Sequence, residues 1–326
     1  MINKKTGRAV ILAGAAIFAP ISAYADIVIK VGFAVGGGYD VNARLMANHL
    51  GRFLPEAGSI YVENVDGAGS LRLAKMMLAK EPADGTVIGS ISSWFPVGAT
   101  FDPALVGLDF SQLSWIGGIG TTQERLCAVS SSLGIADISD FAEQTFQLGA
   151  TTSGTTDVIT RLVQNTLHAD FEIVRGFSGT APVRAAIIRG ELDGYCSLRV
   201  RDLEKVFEPG TMTPILQASY RPNLDLPYPL LRDLVESPED IEIVDFILSH
   251  ELFQYSFALP PGTPEDILTE YRQAFDAMVQ DPEFLAEAEK LRMQPSPITG
   301  AELEDHLDRI QKTPLEVLAR AGAMLD

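Results

Sequence analysis

Residues 27–53 read IVIKVGFAVGGGYDVNARLMANHLGRF, and this stretch sets the fold class. Residues 27–33 are a short apolar, β-branched run, the pattern of a buried strand. Gly36, Gly37 and Gly38 break it. Asp40 then reads as the N-cap of a helix running to about Phe53, with Leu45, Met46, Leu50 and Phe53 along one face. A strand that feeds through a glycine loop into a helix is the opening half of a βαβ unit.

The unit recurs. Residues 60–64 (IYVEN) form the next strand, and Gly67-Ala68-Gly69 leads into a helix with Leu73, Ala74, Met77 and Leu78 on its apolar side. Strand patterns follow at 86–91, 126–129, 146–151, 171–174, 192–197, 214–219 and 257–259. Helices are expected at 154–168 and 180–189, the second capped by Thr180, and Thr263 caps the first of two or three closing helices. This alternation predicts an α/β architecture with largely parallel sheets. Ligands in such sheets sit beyond the carboxyl ends of the strands.

Composition bounds the function. The chain has 326 residues, 46% hydrophobic and 21% charged, enough for a well-buried core and two domains. With 25 basic residues against 43 acidic ones its net charge is −18, which excludes a nucleic-acid partner. Residues 1–25 read as a secretory signal peptide: Lys4, Lys5 and Arg8 precede an apolar run at 9–21, and Ala23-Tyr24-Ala25 supplies the small residues of a cleavage site. The run is broken by Pro20 and is short for a membrane span. Removing the leader takes away those three positive charges and brings the net charge to −21. Export places Cys127 and Cys196 in an oxidising compartment, where two readings stand open: a disulfide, or two buried thiols.

Catalytic signatures are missing from the sequence. His49, His168, His250 and His306 show no metal-ligand spacing, and there is no G-x-S-x-G elbow and no P-loop. The glycines at 36–38 fail the dinucleotide pattern because position 41 is Val. No metal or cofactor is expected, and the chain does not read as an enzyme. The positive signal lies in loops rich in glycine and hydroxyls that run into helices: 36–40, 67–70, 92–93, 152–157 and 178–180. Helix starts present free N–H groups and a partial positive charge, so two facing ones can grip an anion without a cationic side chain. The competing reading of each loop is an ordinary cap or turn. Arg175 and Arg199 follow strands and either reach the cleft or make surface ion pairs; Tyr39 and Trp94 either cover a ligand or pack.

These motifs, in order, resemble the substrate-binding proteins of the tripartite tricarboxylate transporter systems, the Bug-type extracytoplasmic solute receptors. The F-x-x-G-G-x-x-D motif is similar to Phe33-Ala34-Val35-Gly36-Gly37-Gly38-Tyr39-Asp40. E-N-x-x-G-A-G-S matches Glu63 to Ser70, followed by Pro82-Ala83-Asp84-Gly85. The S-G-x-x-S helix start resembles Ser153-Gly154-Thr155-Thr156-Asp157. A G-x-x-P unit ending in G-x-x-D spans Gly179 to Asp193, and P-x-G-T-P is Pro260 to Pro264. There are departures: Gln254-Tyr255-Ser256 replaces an aromatic-glycine unit, Thr156 stands where serine is usual, the usual histidine shortly after it is lacking, and Phe177-Ser178 replaces Tyr-Lys. They fall in the ligand-facing half.

The resemblance implies a two-lobed periplasmic-binding-protein fold of the Venus-flytrap kind, type II, with a hinge between two α/β lobes. Lobe one is expected at 26–124 with 251–326, and lobe two at 125–250. The implied ligand set is Phe33, Gly36, Gly37, Gly38, Tyr39 and Asp40; Ser92, Ser93 and Trp94; Ser153, Gly154, Thr155, Thr156 and Asp157; and Arg199. The implied activity is capture of a small carboxylate-bearing molecule in the periplasm by a monomer and its delivery to membrane permease subunits. A receptor that presents its solute to a signalling partner is the alternative.

Overall fold

The computed structural model describes residues 25–55, 57–102, 105, 107–120, 125–151, 155–177 and 179–325. The expected signal peptide, apart from Ala25, lies outside the described residues. The strands are β1 (Ile27–Val31), β2 (Ile60–Asn64), β3 (Val87–Ser90), β4 (Ser114–Gly118), β5 (Arg125–Ser130), β6 (Gln147–Thr151), β7 (Glu172–Phe177), β8 (Gly194–Arg199), β9 (Met212–Gln217), β10 (Ser256–Leu259) and β11 (Ile298–Thr299). The helices are α1 (Gly38–Leu50), α2 (Leu71–Ala79), α3 (Phe95–Gly98), α4 (Ile138–Glu143), α5 (Thr155–Leu167), α6 (Thr180–Ile188), α7 (Val200–Val206), α8 (Leu231–Leu234), α9 (Pro238–Leu248), α10 (Glu265–Met278), α11 (Pro282–Lys290), α12 (Gly300–Gln311) and α13 (Leu315–Leu325). Among the described residues no helix is long and apolar enough to cross a membrane.

The strands form two sheets, in the orders β11-β4-β10-β3-β1-β2 and β7-β6-β8-β5-β9. β1 is buried on both faces and pairs in parallel with β2 and β3, which is why its sequence is a continuous apolar run. The sheets are mixed rather than largely parallel. β10 lies antiparallel to both β3 and β4, and β5 antiparallel to both β8 and β9. The cause is connectivity. The chain leaves the first sheet after β4, builds the second, and returns as β10, so a returning strand is inserted beside a departing one.

Side chains on one face of the first sheet, Ile29, Val31 and Phe257, pack with Leu45 and Met46 of α1 and Phe275 of α10. On the other face a longer core runs from Met77, Trp115 and Phe253 to Cys127, Leu162, Leu216, Ile247 and Ala321, so it joins the two sheets. A third cluster, including Val183, Leu192 and Tyr195, covers the outer face of the second sheet. Cys127 and Cys196 are register partners on β5 and β8, both fully buried, and are joined by a disulfide.

β4 gave no strand signal because it is SWIGG. Its glycines serve close packing: a Cβ on Gly117 would stand 2.4 Å from the Phe275 ring. α13 packs on α5 and α9, with Asn165 Nδ2 donating to the Met324 carbonyl at 2.8 Å and Arg320 paired to Asp240 at 2.6 Å. The last helix therefore sits with the second sheet, because its apolar side (Val317, Ala321, Leu325) is buried there. Replacing fully buried Phe275 with alanine is expected to lower unfolding stability by about 3–5 kcal/mol in urea titration.

Candidate functional site

The strand ends that feed α1 and α5 were the sequence's choice for a site. In the first sheet the loop after β1 turns at Gly36, whose φ of +82° suits glycine and whose N–H donates to Asp40 Oδ2 at 2.9 Å. Helix α1 starts at Gly38, so its N-cap is Gly37, not Asp40 as expected, and it ends at Leu50 rather than Phe53. Asp40 lies in the first turn, 2% exposed. Its carboxylate takes Arg44 Nε at 3.0 Å, Arg44 Nη2 at 2.9 Å and Asn64 Nδ2 at 3.0 Å. Burial alone would raise its pKa, but the hydrogen bonds from Arg44, the Gly36 N–H and Asn64 outweigh it and hold the carboxyl below its ordinary value. Asp40 is thus a staple for the loop, and the loop presents Gly36, Gly37 and Gly38 to solvent.

Phe33 stacks on Tyr39 with ring centroids 4.3 Å apart, and Tyr39 meets Tyr255 edge-on at 5.0 Å. The Tyr39 hydroxyl accepts the Ser93 N–H at 2.9 Å, and Ser93 Oγ donates to Gln254 Oε1 at 3.3 Å. Burial pushes the Tyr39 phenol up to about 12, against the hydrogen bonds from Ser93, so it stays neutral. A Cβ on Gly38 would stand 2.5 Å from Tyr255 Oη, which leaves this position to glycine. The Ser92 N–H donates to the buried Ser70 Oγ at 3.3 Å. Trp94 packs edge-on against Phe101 and His250 at 5.8 and 5.7 Å, so its ring serves packing.

In the second sheet Ser153 and Gly154 lie outside the described residues. Thr155 opens α5, and Thr156 is buried behind it, its carbonyl accepting from Thr160. Asp157, 1% exposed, pairs with Arg161 at 2.6 Å and with Arg175 at 2.8 Å. Arg175 is therefore committed to a buried carboxylate. Arg199 ends β8, half-buried, and is the register partner of Arg125.

Arg125 escaped the sequence reading. It is buried at the start of β5, with Nη1 donating to Ser197 Oγ at 2.6 Å and Nε 3.3 Å from Glu251 Oε1. Its charge also acts on the Tyr39 phenol of the first sheet. Ser197 holds a φ of +146°, a costly backbone for serine. Gln254 and Tyr255 were visible only as departures from a motif. An arginine heading an apolar strand, RLCAV, was the available signal for Arg125.

These residues fall into two groups, one at the strand ends of each sheet. The first sheet contributes Phe33, Gly36–Tyr39, Ser93 and Tyr255; the second contributes Arg125, Ser197, Arg199 and the start of α5. The described carboxylates in both groups are already matched by arginines, so the local charge is less acidic than the chain as a whole. Asp40→Asn is expected to cost about 1–3 kcal/mol of stability at pH 7. Asp40 contributes above the ordinary value of 3.8, so the gap between variant and parent should close as pH falls below it in a pH series of thermal melts.

No protein-family model matches the chain, and no curated protein matches it in sequence. Solved structures do match. A TctC solute-binding protein from Polaromonas superposes with a TM-score of 0.69 at 16% identity, covering 92% of this chain and 97% of that one. A Rhodopseudomonas palustris protein with adipate gives 0.64 at 18% identity over 91% and 97%. MatC from the same organism with bound malate gives 0.61 at 20% identity over 94% and 100%. The chain has the two-lobed, type II fold of these solute-binding proteins, one α/β lobe built on each sheet.

Proposed function

We propose that this protein is an extracytoplasmic solute receptor of the tripartite tricarboxylate transporter kind, which captures a small carboxylate-bearing molecule between its lobes and delivers it to a membrane permease. In this reading residues 26–124 and 251 to about 314 make lobe one, and 125–250 with α13 make lobe two. It acts in the periplasm, binds without turning its solute over, and works as a monomer.

The observation that carries the reading is that each sheet has a strand end feeding a helix start. On one side, exposed backbone at Gly36, Gly37 and Gly38 opens α1 beside the Phe33–Tyr39–Tyr255 wall. On the other, α5 starts at Thr155, and Arg199 and Arg125 are register partners on β8 and β5. Helix starts and guanidinium groups favour an anion, while the wall covers an apolar chain. Local attraction is needed, because the net charge of −18 repels anions at long range. The malate and adipate held by proteins of the same fold support a carboxylate.

A thermal-shift screen of mono-, di- and tricarboxylates, amino acids and aromatic acids tests this. A carboxylate at a hundredfold its Kd should stabilise the folded protein by about 2.7 kcal/mol and raise Tm accordingly. Gly38→Val and Thr155→Val should each weaken binding of that compound by about tenfold or more in isothermal titration. Unchanged affinity in both would remove this site. Turnover of any screened compound would remove the receptor reading.

A further inference from the structure

The loop after β1 carries an apolar run into the glycine turn. Phe33 is half-buried, Ala34 is exposed and Val35 is 71% exposed. Phe33 stacks on Tyr39 with centroids 4.3 Å apart, and Tyr39 meets Tyr255 edge-on at 5.0 Å. The Tyr255 ring stands over Gly38, where a Cβ would come within 3.1 Å of its Cζ. Tyr255 holds this place at a φ of +54°, a costly backbone for a bulky side chain. The first turn of α1 is thus bordered by aromatic and aliphatic carbon.

The hydrogen-bonding groups beside it are turned inward. The Ser93 N–H goes to Tyr39 Oη, and Ser93 Oγ to Gln254 Oε1. Asn64 Nδ2 goes to the Phe33 carbonyl at 2.9 Å and to Asp40 at 3.0 Å. Arg44 is held by Asp40 and by Asn64 Oδ1. The cations of the second group are committed in the same way, Arg161 and Arg175 to Asp157 and Arg125 to Glu251. Among the described residues of the two groups, Arg199 is the arginine that forms no ion pair.

We propose that the solute carries one carboxylate on an apolar body, aromatic or aliphatic, with no hydroxyl and no second carboxylate along it. The proposal rests on the receptor reading and narrows its carboxylate to this class.

The energetics favour such a compound. The rings and Val35 gain by covering carbon. A hydroxyl or second carboxylate laid against them would give up water for donors already spent within the protein, an exchange that costs more than the apolar contact returns. Each added negative charge is also opposed at long range by the net charge of −18. A single carboxylate asks for one set of donors, which a helix start with one guanidinium supplies.

Matched acids test this on the whole protein by isothermal titration. Hexanoate and adipate share a chain length and differ by one carboxylate; phenylpropanoate and phenyllactate differ by one hydroxyl. The first of each pair should bind about tenfold or more tighter than the second. Each CH₂ added from butanoate to hexanoate should tighten binding by about threefold in the parent, and Phe33→Ala should flatten that increment. A general loosening of the loop would instead weaken both acids alike. Adipate or malate binding as tightly as hexanoate, or an unchanged chain-length increment in the variant, would overturn the proposal and leave the receptor reading standing. If the variant fails to fold, the paired affinities of the parent decide alone. Binding of none of these acids, malate and citrate included, would remove the receptor reading and the proposal with it.

Discussion

A chain that builds one sheet, leaves to build a second and then returns must lay segments distant in sequence side by side. Here β4 leaves and β10 returns, paired antiparallel, and across the gap β5 lies between β8 and β9 in the same sense. That constraint arranges the rest. It puts Arg125, Tyr220 and Glu251 within reach of one another although they are far apart in sequence. It also brings Gln254 and Tyr255, just ahead of β10, beside the loops that follow β1 and β3.

Charge in this protein works at two ranges. At long range the acidic surface favours solubility and opposes anions. At short range the buried carboxylates Asp40 and Asp157 are spent on arginines, a backbone N–H and an asparagine. Buried charges left without such partners would cost several kcal/mol each. Asp40 and Asp157 thereby brace the helix starts in which they lie.

Much of the fold was legible. β1, the glycine loop and α1 announced themselves because a buried parallel strand is uniformly apolar and a surface helix is striped. The candidate loops followed from where strands feed helices. β4 was not legible, since its glycines are chosen for the approach of Phe275 and Ile298 rather than for strand propensity. Nor was Arg125, whose apolar neighbours Leu126 to Val129 define the strand without saying what its first residue faces. Trp94 read equally as a cover or as packing, and one of the rings it meets, His250, comes from a segment no local pattern connects to it.

Sequence alone determined the α/β class, the opening strand–helix units and the acidic charge, because each is carried by local composition and periodicity. Only the tertiary structure decided that the sheets are mixed, that α13 packs on α5 and α9, that Cys127 and Cys196 are paired, and that Glu251 reaches both Tyr220 and Arg125. These depend on contacts between residues from about 30 to 170 positions apart in the chain. Such contacts are set by how apolar faces and buried charges find partners in three dimensions, and periodicity records only that a face is apolar, not which face it meets.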